Sequence, residues 1–180
     1  MIKNNVKSYL SIDLNNKWSL IDFEKLIHSL NNIYFIFYIC NELIESINSN
    51  NGKIYILHRK IKFNRINFLT YIKKRKNTCI KTESLIIKRI HMESPGDIVL
   101  EGGSFLKEVR EFIKDMLFRN KQEKEIGELN ILEKKLQILT EYGFPNKEVE
   151  EVKLYTYKNR RNINSFINKG LLGEIIDVLI

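Results

Sequence analysis

Alanine is absent from the 180-residue sequence, and proline (2), cysteine (2), histidine (3) and glycine (8) are scarce. So little proline and glycine, beside 43% hydrophobic residues, excludes collagen-like or low-complexity chains and argues against long disorder. Cys40 and Cys79 lie in no CxxC pair, which excludes a disulfide framework and points to a reducing compartment with both thiols in the core. No histidine lies four residues from another, so no zincin helix exists, and too few ligands are present for structural zinc. Long apolar runs are missing too: Ile33–Cys40, the most apolar stretch, has eight residues against the roughly 20 that a membrane span needs. Met1-Ile2-Lys3-Asn4-Asn5 has no signal-peptide character. A cytoplasmic protein with no membrane partner is expected.

What is abundant is Ile, Asn and Lys, residues that AT-rich codons favour, so lysine richness alone is weak evidence for an anionic partner. The placement of acids is more informative. The net charge is +8, but residues 1–90 carry +10 and residues 91–180 carry −2. Residues 46–82 contain no Asp or Glu, where about four are expected by chance. That stretch carries Lys53, Arg59, Lys60, Lys62, Arg65, Lys73, Lys74, Arg75, Lys76 and Lys81. A basic face for phosphates is one reading of the block 53–76, with Phe63, Phe68 and Tyr71 able to stack on unpaired bases. A solvated basic face with those aromatics in the core is the other, since no RNP pattern or zinc-finger spacing accompanies it.

Periodicity predicts a strand at 7–14, with Leu10, Ile12 and Leu14 on one face. Ser19 and Asp22 form a capping box opening a long helix near 20–46, with Trp18 placed to staple onto Phe23. Residues 33–40 are apolar all round, so that helix should be covered on more than one side. Strands are predicted at 53–63, 85–92 and 97–101, the last two joined by a turn with Pro95 and Gly96 at its centre. Residues 64–82 read as neither helix nor strand decisively. From Ser104 a long amphipathic helix runs to Tyr142-Gly143-Phe144-Pro145, its polar middle at 119–125 being either a solvated helix or a break. Two shorter helices, near 147–158 and 163–178, close the chain. The expected fold is α+β: a small, mostly antiparallel sheet in residues 1–103 and an α-helical region at 104–180, packed as one unit.

Searches for chemistry return no catalytic set, and no cofactor is implied. GxSxG and SxxK are absent, and Glu133-Lys134-Lys135, which has nuclease lettering, sits on a helix. His28 follows Glu24 by four residues and His91 precedes Glu93 by two, spacings of local ion pairs. Gly102-Gly103-Ser104 before a helix start resembles a phosphate cradle but lacks Walker spacing, so a capped turn is the simpler reading. Leu129, Leu132, Leu136 and Leu139 form a two-heptad seam that serves either a partner helix or the closing helices through Val149, Val152, Phe166, Ile167 and Ile175. The resulting expectation is a non-enzymatic intracellular interaction or assembly module, self-associating or an accessory subunit of a larger bacterial system. The alternative is a nucleic-acid-binding protein using Arg59, Lys60, Lys62, Arg65, Lys73, Lys74, Arg75 and Lys76.

Overall fold

In a computed structural model the described residues are 7–48, 67–78, 84–91, 95–103, 105–122 and 130–177. Among them four strands form one antiparallel sheet: β1 (Ser8–Leu14), β2 (Ile86–His91), β3 (Gly96–Gly102) and β4 (Leu172–Asp177), in the order β2-β3-β1-β4. Five helices accompany it: α1 (Leu20–Asn48), α2 (Phe68–Thr78), α3 (Leu106–Gln122), α4 (Asn130–Glu141) and α5 (Asn146–Asn168). The class is α+β, as the sequence pattern implies. Leu10 pairs with Leu100, Ile12 with Ile98 on one side and Ile175 on the other, so the predicted apolar face of β1 is the centre of the buried sheet face.

The opening of α1 follows its sequence closely. The Ser19 hydroxyl bonds the Asp22 carboxylate at 2.8 Å and accepts the Asp22 amide at 3.1 Å. Trp18 stacks on Phe166 of α5, with ring centroids 5.3 Å apart, tying the entry of the first helix to the last. The all-round apolar stretch has a direct cause, because α1 is the hub that touches α2, α3, α4 and α5. Tyr34, Phe35, Ile36 and Phe37 are all buried, and Phe37 meets Phe112 of α3 edge-on at 5.9 Å.

Two expectations change; a third, the predicted strand at 53–63, lies outside the described residues. The break expected near Asn159–Asn162 does not occur, since α5 is continuous from Asn146 to Asn168. Asn159 is buried there rather than helix-breaking: its amide accepts from Asn32 of α1 at 2.9 Å and donates to the Tyr155 carbonyl at 2.8 Å. The helix expected at 163–178 stops at Asn168. Gly170 adopts φ +67, the Gly170 and Leu171 amides return to the carbonyls of Ile167 and Phe166, and the chain leaves as β4. The apolar spacing of Ile163, Phe166 and Ile167 runs on in phase through Leu171 and Ile175, and so masks the change of element. At Tyr142–Pro145, by contrast, the expected stop is present: Gly143 sits at φ +92 and the Phe144 amide caps the Leu139 carbonyl at 3.1 Å. Because β4 pairs with β1, the sheet joins the regions on either side of residue 103.

Candidate nucleic-acid interface

Of the proposed basic contacts, Arg59, Lys60, Lys62 and Arg65 lie outside the described residues, while Lys73, Lys74, Arg75 and Lys76 sit on α2. Consecutive helical residues are about 100° apart, so four in a row splay round the axis and do not share a face. Three of them make contacts with neighbouring helices. Lys73 lies 4.9 Å from the centre of the Tyr155 ring. Arg75 approaches Glu42 of α1 at 3.5 Å. The Lys76 ammonium donates to Asn32 Oδ1 at 2.7 Å, and its half-burial beside that amide lowers its pKa. Asn32 in turn bonds Asn159, and Asn162 donates to the buried Ser29 hydroxyl at 3.1 Å, so a polar seam runs between α1 and α5. The expected stacking residue Phe68 is in the core, 5.1 Å from Phe144. Lys74 alone of the four is exposed with no such contact among the described residues.

The leucine seam is filled within the chain. Leu132, Leu136 and Leu139 are buried in the same core as Val149, Val152 and Phe166 of α5 and as Ile175, which belongs to β4 and not to a closing helix. Leu129 lies outside the described residues. Lys135, on the flank of α4, turns toward Asn41 and Glu108, and the last of these pairs with it at 3.3 Å. The turn at Gly102-Gly103 has its amide committed: Gly103 donates to the buried Tyr34 hydroxyl at 2.9 Å, and a Cβ on Gly102 would sit 3.0 Å from the Tyr34 ring. Ser104 lies outside the described residues. Cys40 is fully buried, and that burial pushes its thiol up to about 12, so it stays a core thiol. His28 is exposed, its pKa lowered by partial desolvation and by Lys76, with Glu24 opposing. Glu93 lies outside the described residues. Among the described residues no group of three or more His, Cys, Asp and Glu could hold a metal, and no helix is long and apolar enough to cross a membrane.

The sheet face opposite Leu10, Ile12 and Ile98 carries a charge ladder. Glu101, nearly buried, accepts from Lys88 at 2.7 Å and pairs with Lys7 at 3.0 Å; those two hydrogen bonds hold its carboxyl below the usual range. Arg89 pairs with Asp97 at 2.6 Å. Its charges satisfy one another.

The outer face of α5 is different, and sequence reasoning missed it. Leu154, Tyr157, Lys158, Arg161, Ser165 and Asn168 are exposed at spacings that place them in one stripe roughly 100° wide, opposite buried Val152, Thr156, Asn159 and Ile163. Arg160 and Asn164 flank the stripe, and together with Asn162 these side chains line an open depression of about 920 Å³. Tyr157 is fixed at one end, its hydroxyl donating to Glu133 of α4 at 2.9 Å; burial and that bond raise its pKa. The signal was present: residues 152–173 carry five cations and no acid, a second acid-free run hidden in a half whose net charge is −2. Glu148, Glu150 and Glu151 at the helix start and cations toward its end also complement the helix dipole. Comparison with protein-family models, characterised proteins and solved structures gives no match.

Proposed function

We propose that this chain is a non-enzymatic module that binds nucleic acid along the outward face of α5. The observation that carries the proposal is a stripe with no Asp or Glu among its own residues, in which exposed Lys158 and Arg161 stand beside Ser165, Asn168 and an anchored tyrosine, over an open depression. Lysine and arginine there neutralise phosphates, and a shallow, open surface suits an extended polymer better than a small substrate. The basic block at 53–76 contributes less in this reading, because three of its four described helical cations serve contacts within the chain.

Fluorescence anisotropy with labelled oligonucleotides tests it. Binding should weaken steeply between about 50 and 200 mM salt, and the double variant K158E/R161E should reduce affinity at least tenfold with unchanged thermal stability. Absence of binding at low salt, or a double variant that binds as the parent does, removes the proposal.

A second reading is assembly with a copy of itself or with a larger complex. What favours it is β2, at the edge of the sheet among the described residues, whose Ile87 and Ile90 fall by register on the core side yet remain exposed. Light scattering that shows a strict monomer at high concentration counts against that reading.

A further inference from the structure

We infer that the α5 surface takes single-stranded in preference to double-stranded nucleic acid, with Tyr157 as the stacking platform. This rests on the nucleic-acid reading of the same face and adds the class of strand to it.

Phosphate binding by itself needs only cations, and a duplex offers its charges on a rigid rod with the bases turned inward. An exposed aromatic ring on a phosphate-binding stripe has no work to do against a duplex backbone, whereas against a single strand it meets the flat face of a base. Tyr157 has this placement. Its ring is 44% exposed, yet its hydroxyl is held by Glu133 at 2.9 Å. The side chain therefore keeps its apolar face in solvent without the rotamer freedom that would oppose binding. Its helical neighbours suit the same role. Leu154, one turn before, is 66% exposed and extends the apolar surface on which a base can rest. Lys158 and Arg161, one and four positions after, lie where the strand's phosphates would run beside a base stacked on the ring. Asn168 extends the stripe at its far end, about 16 Å along the helix from Tyr157 by the rise per residue, a span that covers several nucleotides of one strand. From Tyr157 to Asn168 the stripe contributes no carboxylate of its own, and the nearest acid it meets, Glu133 of α4, stands at the Tyr157 end.

Anisotropy titrations of the full chain with a 15-mer of thymidine, a 15-mer of uridine and a 15-base-pair duplex test the inference. The expected result is tighter binding of both single strands than of the duplex. Y157A should lower single-strand affinity by about fivefold or more and change duplex affinity by less than about twofold. Y157F, which keeps the ring and loses the anchor, should retain most of the single-strand affinity. Duplex preference, or equal losses on all probes in Y157A, overturns the stacking role while leaving the phosphate-binding face standing. No binding of any probe removes both. Melting temperatures of Y157A and Y157F close to the parent's confirm that the variants report on the surface.

Discussion

Leu136→Ala separates a leucine seam that builds the core from one that recruits a partner. Leu136 is 1% exposed and shares a cluster with Val152 and Phe166, whereas Ile131, on the same helix, is 41% exposed. Truncating a fully buried leucine removes its transfer free energy and leaves a cavity, a loss of about 2–5 kcal/mol. For a chain of this size each kcal/mol lowers the melting temperature by about 2–4 °C, so a mid-range loss of about 3 kcal/mol gives about 6–12 °C. Ile131→Ala, with its side chain largely in water, should stay within about 0.5 kcal/mol of the parent. Thermal and urea unfolding across a wide range of protein concentrations provides the assay, because a core effect is independent of concentration and an interface effect is not. A parent that self-associates, paired with an L136A variant that unfolds at the parental temperature as a monomer, would refute the reasoning.

The Lys7–Glu101–Lys88 group makes stability depend on acid. Because the folded-state pKa of Glu101 lies below its unfolded value, its contribution is present above about pH 4.5 and fades as pH falls through the lower folded value. Urea midpoints from pH 7 to 3 should therefore converge for the parent and E101Q at the acid end, and parallel curves would show that Glu101 is uncoupled. Y34F deletes the hydroxyl that accepts the Gly103 amide inside the molecule, and a loss of about 1–2 kcal/mol is expected in chemical denaturation. A loss under about 0.3 kcal/mol would mean that the turn before α3 holds without that bond.

The fold was legible wherever local pattern and tertiary role agree. The alternation Leu10, Ile12, Leu14 gives β1, the pair Ser19 and Asp22 gives the start of α1, and Pro95 stands just before Gly96 opens β3. Apolar residues on every side of 33–40 foretell a helix that others surround. Legibility fails where long-range contacts reassign local chemistry. Asn159 looks like a breaker until Asn32 arrives to satisfy it from 127 positions away. The end of α5 is invisible because its apolar rhythm passes unbroken through Gly170 into β4. The basic run of α2 looked like one surface because adjacency in sequence was read as adjacency in space, although a helix fans such neighbours apart. The stripe on α5 escaped for the converse reason, since its members are scattered through the sequence and gathered only by the helical turn.

Pairing of β4 with β1 has a consequence for biogenesis. As the nascent chain leaves the ribosome, β1 has one edge bare and α1 lacks the α5 cover of one of its sides until residues beyond 145 have been translated. Early intermediates are thus sticky by construction, and the final annealing step must draw together β1 and β4, which lie far apart in the sequence. Synthesis of such a chain at high level would depend heavily on holdase chaperones, and fragments cut near residue 103 should precipitate rather than fold.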